Sequence, residues 1–200
     1  GEGTQNEVET QYIATITNTG LPVVVINQSD NMPTGDNMTW VTWTNTGIKL
    51  RHKESEWAED DQITIYNNDG SINLNTVVGG VRLRGNVSQE FPKKPFAIKF
   101  KKKQEVLGMP AHKRWCLLAN WLDRTAIRND VSVALANQTI AAWQNEGLEE
   151  GLTYNPRGQH VEVVYNGIHI GNYLLCEQIK IDENRVNIQK EYDQDEPKGI

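Results

Sequence analysis

Residues 77–100 read Val77-Val78-Gly79-Gly80-Val81-Arg82-Leu83-Arg84-Gly85-Asn86-Val87-Ser88-Gln89-Glu90-Phe91-Pro92-Lys93-Lys94-Pro95-Phe96-Ala97-Ile98-Lys99-Phe100. Two strands are expected here, over 77–84 and 96–100, because successive residues of a strand point to opposite faces. Val81 and Leu83 then share one face, and Arg82 and Arg84 the other. In the second strand Phe96, Ile98 and Phe100 lie together and Lys99 opposes them. Pro92 and Pro95 exclude a helix between the two and make a fixed connection. The unit is therefore two strands and a Gly85-Asn86-Val87-Ser88 loop with one basic side. Such a side makes an anion cradle: amides around Gly85 donate to phosphate oxygens, Arg supplies forked donors and Lys a point charge. A solvated sheet face kept soluble by its bases would show the same pattern.

Outward from this unit the chain reads as alternating strands and loops. Leu21 to Ile26 is a short apolar run and is expected to be a buried strand. Residues 27–36 form a loop rich in Asn, Asp, Ser, Pro and Gly. Residues 38–44 are a strand whose Trp40 and Trp43 are read as sharing a face, in a core more readily than on a contact surface. Gln62 to Tyr66 is a strand ending in the turn Asn67-Asn68-Asp69-Gly70. Arg114 to Ala119 is a third apolar strand. A helix over about 124–143 should follow, capped by Asp123, with Ile127, Val131, Ala134 and Leu135 as its apolar stripe. Strands 160–165 and 168–176 flank Asn166-Gly167, a dipeptide suited to a type I′ turn. Strands, a basic strand pair, one long helix and a hairpin predict a mixed α+β class. The division expected is a β-rich N-terminal segment, 1–77, and a second region, 78–200.

Composition narrows the function classes. At 200 residues, 38% hydrophobic and 23% charged, the chain can pack a core of one domain or one and a half. No run of 18 or more apolar residues is present, so no helical membrane span is expected. The start, Gly1 to Asn6, reads as a mature end or an expression scar. Residues 82–103 hold eight bases and the single acid Glu90, a local +7 in a chain of net −6, which leaves −13 for the rest. A basic island in an acidic chain points to an anionic ligand at the island, not to nucleic acid. Cys116 and Cys176 both sit in apolar runs and read as buried free thiols, without Cys/His spacing for a metal. A 116–176 disulfide requires that their strands be neighbours.

Two further clusters carry polar residues at element ends. Asp123, Arg128 and Asn129 stand at the strand-to-helix join, where a cap alone would account for Asp123. A cation in a first helical turn opposes the helix dipole, so Arg128 is expected to have a partner, either Asp123 or Glu177. Glu177 and Gln178 end an apolar strand, where a side chain and backbone could read a ligand edge; an ordinary strand end would look the same.

Taken in order, several short stretches carry a family likeness. They are Arg82-Leu83-Arg84-Gly85-Asn86-Val87-Ser88, Pro92 to Phe100, Leu107-Gly108-Met109-Pro110, Trp115 to Asp123, Arg128-Asn129 and Pro156-Arg157-Gly158. Tyr165-Asn166-Gly167, Gly171 to Leu175, Glu177-Gln178-Ile179 and Asn184 to Ile188 complete the series. In sequence and spacing they resemble the CotH family of atypical, spore-coat-protein-H-like bacterial protein kinases, over about residues 78–188. The resemblance implies a protein-kinase-like N-lobe, an antiparallel or mixed sheet plus one long helix, preceded by the β-rich segment. It implies ATP with Mg or Mn, phosphoryl transfer to a secreted or surface protein, and an extracellular, periplasmic or cell-surface location, with a lipid anchor possible in the parent protein. The residues it assigns to the nucleotide are Arg82, Arg84, Gly85, Asn86, Ser88, Lys99, Glu177 and Gln178, supported by Asp123, Arg128 and Asn129. Lys99 corresponds to the phosphate-binding lysine, 123–143 to the regulatory helix, and Glu177 to the hinge beside adenine.

Two departures bear on activity. Kinases pair the phosphate-binding lysine with a helix glutamate, and the expected helix has none before Glu146, so either Asp123 or Asp130 serves or the pairing differs. No His-Arg-Asp or Asp-Phe-Gly run occurs. The family's catalytic and metal-binding aspartates are expected beyond residue 200, so no catalytic or metal residue is assigned and this chain alone is expected to be inactive. The alternative is a non-catalytic surface or coat module that keeps the scaffold for interaction.

Overall fold

The computed structural model describes residues 19–32, 39–44, 46–147 and 154–188. The expected lead at 1–6, part of the 27–36 loop and the acidic tail past 188 lie outside the described residues. The strands are β1 (Val23–Asn27), β2 (Trp40–Trp43), β3 (Ile48–Arg51), β4 (Asp61–Tyr66), β5 (Ile72–Leu83), β6 (Phe96–Val106), β7 (Met109–Leu118), β8 (Gly158–Tyr165) and β9 (Ile168–Glu177). One α-helix, α1 (Arg128–Asn145), precedes β8, and Val87–Glu90 is a single 3-10 turn.

Seven strands close into a barrel in the order β1-β4-β5-β6-β7-β9-β8. All pairings are antiparallel except β1 with β8, where Val23 faces Glu162 and Ile26 faces Tyr165. Closure follows from this parallel contact, which leaves neither edge unpaired. Inward residues alternate with outward ones on each strand. Ile26, Ile63, Val81, Leu83, Phe96, Ile98, Trp115, Leu117, Val163, Tyr165 and Leu175 fill the interior. Phe96 is the hub, its ring 5.2 Å from Tyr165, 6.0 Å from Tyr173 and 6.2 Å from Trp43. Burial of each such side chain stabilises the fold by about 1.5–3 kcal/mol. The β2–β3 hairpin covers one end, tied down by the Trp43 indole, which donates to the Pro92 carbonyl at 2.7 Å.

The expected kinase-like α+β lobe is corrected by this topology: the described residues are mostly β, a closed seven-stranded barrel with one α-helix among them outside it. Sequence pattern shows most of the strands, though not β3, and none of their partners beyond the β8–β9 hairpin; the decisive pairing joins β1 to β8 across most of the chain. The helix differs too. It begins at Arg128, not 124, and ends at Asn145. Residues 123–126 instead make a turn in which Ala126 has a φ of +56°. No residue of α1 is buried. Ile127, Val131 and Leu135, three residues of the expected apolar stripe, are more than half exposed. Trp40 and Trp43 do not share a face. Three positions apart on a strand they point opposite ways: Trp43 is buried, and Trp40 lies under the Arg51 guanidinium, 5.4 Å from its ring. Asn166 and Gly167 both have positive φ, as the type I′ reading requires. Among the described residues no helix is long and apolar enough to cross a membrane.

Candidate functional site

The basic strand pair forms with the expected facing. Val81 and Leu83 are buried inside the barrel, while Arg82 and Arg84 lie half-buried on its outer surface. Arg82 stands opposite Ala97, and Lys99 opposite both Gly80 and Arg114. Lys99 therefore shares the outer face with Arg84. The two are four positions apart along the sheet, about 13 Å at 3.3 Å per residue.

A segment with no sequence signal completes the basic surface. Residues 52–60 cross the outer face of β5–β6–β7 as a strap. Arg82 Nη1 donates to the Ser55 carbonyl. The Trp57 ring lies 4.0 Å from the Arg82 guanidinium carbon and 4.4 Å from that of Arg114. Lys53 Nζ donates to Asn86 Oδ1 at 2.9 Å. The strap needs glycine beneath it, because a β-carbon at Gly80 would collide with the Ala58 carbonyl.

Under the strap lies a recess of about 360 Å³ lined by Lys53, Trp57, Arg82, Arg84, Gly85, Asn86, Arg114, Gln178 and Lys180. None of its lining residues is a carboxylate. Burial first, and then the charge of Arg114, pull Arg82 below the usual arginine range, and burial does the same to Arg114. Five cations around one cavity repel one another, so an anion there would relieve desolvation and repulsion together.

Beside it opens a larger cleft of about 1180 Å³ between α1 and the outer face of β7, β9 and β8. Leu118, Val133, Ala134, Pro156, Leu174 and Ile179 give it apolar walls. His160 crosses it, with Nε2 2.5 Å from Asp130 Oδ2 on α1 and Nδ1 2.9 Å from Asn172 Oδ1. Arg84 and Gln178 line both the cleft and the recess. A third hollow of about 270 Å³ brings Ser88, Asn120, Asp123 and Asn129 to the same Arg84.

The residues singled out in the sequence thus separate into groups. Arg82, Arg84, Gly85, Asn86 and Gln178 meet at the recess, and Ser88, Asp123 and Asn129 meet Arg84 from the other side. Lys99 lines none of these cavities. Glu177 borders the cleft, but its side chain is fully buried and held by two arginines, Arg185 at 2.7 Å and Arg157 at 2.8 Å. Arg128 takes Asp123, at 3.6 Å, and not Glu177, and its side chain is largely exposed. Asp123 accepts from the Thr125 hydroxyl and from the Arg128 amide, and Asp130 is engaged with His160. Among the described residues neither makes an ion pair with Lys99. Arg114 was legible in principle, since it alternates outward with Cys116 on the 114–119 strand. Lys53, Trp57 and Lys180 were not, because only the fold carries their segments to this face.

Residues 81–195 match the family model described as CotH kinase protein. The chain belongs to the CotH kinase family. The matched region begins on β5 at Val81, one residue before the first of the two outward arginines, and covers β6, β7, α1, β8 and β9. No curated protein matches the chain. CotH membership implies a kinase-related protein with a general need for nucleotide and metal. The recess suits the first: its donors are cationic side chains and amides, the groups that hold phosphate oxygens. It does not suit the second. Mg is held through one or two carboxylates besides phosphate oxygens, and among the described residues no group of three His, Cys, Asp or Glu could hold an ion. No metal ligand is assigned in this CotH chain.

Proposed function

We propose that this CotH chain binds a nucleoside triphosphate across the junction marked by Arg84. The phosphates lie in the basic recess, against Arg82, Arg84, Arg114, Lys53 and Lys180 and the amides of Gly85 and Asn86. The base lies in the apolar cleft under α1, with Gln178 at its edge. The observation that carries this reading is that Arg84 and Gln178 line both spaces, so one molecule with an apolar end and a polyanionic end fits the pair. ATP with Mg or Mn is the family's ligand in this reading, any metal being carried in on the phosphates. The residues named here hold and orient nucleotide; none is assigned the phosphoryl transfer itself. Transfer to a secreted or surface protein, and a location outside the cytoplasm, belong to the same proposal through the family resemblance.

Titration with adenosine, AMP, ADP and ATP, followed by thermal shift and calorimetry, tests the reading. A ligand that binds only the folded state raises the melting point. The expected order is ATP over ADP over AMP, with affinities that fall steeply with salt and are weakened in Arg84→Ala. Equal weak responses to all four, or none, overturn it and favour the interaction module.

A further inference from the structure

The two cysteines are used neither by the barrel core nor by the nucleotide reading. Both point outward, because their neighbours Trp115, Leu117 and Leu175 point into the barrel. Cys116 on β7 faces Cys176 on β9 directly across the antiparallel ladder. Directly opposed residues of such a ladder have Cα atoms about 4.5–5.5 Å apart, within the span a disulfide bridges without backbone movement. Both are free and both line the cleft, Cys116 buried and Cys176 half-buried. On the flanking strand β8 the residue opposite Cys176 is Gly158. A β-carbon there would sit 2.9 Å from the Cys176 Cβ, so the glycine leaves room beside Cys176, the less buried of the two thiols.

We propose that Cys116 and Cys176 are a redox-active dithiol, a modification site on the cleft wall that closes to a disulfide by exchange with a small-molecule disulfide. The surroundings favour the thiolate that starts such a reaction. The neighbouring Cys176 thiol, and the charges of Arg84, Lys180 and Arg114, bring Cys116 down to about 7 against the opposing effect of burial. Cys176 moves the other way, raised first by the neighbouring Cys116 and then by burial, so the pair gives up its two protons one after the other.

The protein thiolate attacks one sulfur of the small disulfide, that S–S bond breaks, and one small thiolate departs with a proton. The second cysteine then loses its proton and attacks the protein-side sulfur of the mixed disulfide. The Cys116–Cys176 bond forms and the second small thiol leaves. Two protein thiols are oxidised and one small disulfide is reduced to two thiols. Oxidation also removes a negative charge from among three cations.

The test is exposure of the folded chain to graded ratios of reduced and oxidised glutathione, acid quenching, alkylation in denaturant and mass spectrometry. Reduced protein should take two labels. Oxidised protein should take none and yield a peptide pair linked through Cys116 and Cys176, with no lasting glutathione adduct, because the second thiol is already in place. Cys116→Ser and Cys176→Ser should instead stop at the mixed disulfide. The urea-unfolded chain should accumulate that adduct before closing. Two labels on the folded chain under conditions that oxidise the unfolded one would overturn the proposal. So would a stable glutathione adduct on the folded wild type.

Discussion

Glu177 and Arg185 form an ion pair at 2.7 Å in which neither side chain is exposed to solvent. Arg157 joins from the opposite side, its backbone N–H donating to Oε2 at 3.0 Å and its Nη2 to Oε1 at 2.8 Å. Arg185 also stacks 4.9 Å from the Trp115 ring and donates to the Pro110 carbonyl. Glu177 therefore joins the end of β9 to the segment before β8 and to the chain near 185. Its carboxylate is committed to protein partners.

From this arrangement Glu177→Gln is expected to cost about 3–5 kcal/mol, because it leaves the buried Arg185 charge uncompensated. Urea denaturation measures the loss. Nucleotide affinity per folded molecule should change little. A variant of unchanged stability with abolished binding would restore the ligand role read from the sequence.

The basic recess predicts an order among the cations. Arg84→Ala and Arg114→Ala should each weaken ATP binding by about 10- to 100-fold, the worth of a charge-assisted hydrogen bond of about 1.5–3 kcal/mol. Lys99→Ala should cost less, since Lys99 sits opposite Gly80 and lines neither the recess nor the cleft. Calorimetry on the three variants decides it. If Lys99→Ala were the most damaging, the phosphates would have to lie farther along β6.

Gly85 occupies a φ of +86°, and a β-carbon there would collide with the Ser88 Oγ. Gly85→Ala should destabilise by about 1–2 kcal/mol from the backbone alone, with a further loss from the contact. The double variant Gly85→Ala/Ser88→Ala should recover only the contact share, and chemical denaturation of both separates the two.

His112 supplies a pH dependence. It is buried on β7, and its Nδ1 accepts from the Arg114 amide at 2.9 Å. Burial first, and then the Arg185 charge, hold its pKa below the ordinary 6.5. Below that value the unfolded chain binds a proton that the folded chain refuses, so stability rises with pH across the window. The contribution is complete above 6.5 and is lost as pH falls through the folded value. Comparing the urea midpoints of wild type and His112→Gln between pH 7.5 and 5 should show a steeper acid loss in the wild type. Parallel profiles would remove the assignment.

What was legible in the sequence is what depends on neighbours along the chain. Alternation placed Val81 and Leu83 inward and Arg82 and Arg84 outward, the Asn166-Gly167 turn announced the β8–β9 hairpin, and the ordered short motifs marked the family. What depends on distant contact was not legible. The parallel seam between β1 and β8 turned an expected kinase-like lobe into a closed barrel. The same closure carries Lys53 and Trp57 over the basic strands and sets Cys116 against Cys176. The helical stripe misled for the same reason: periodicity shows that Ile127, Val131 and Leu135 share a side, but only packing decides whether anything covers it. A strand's own residues settle which way its side chains point, and pairing free energy summed over the whole barrel settles which strands lie beside it.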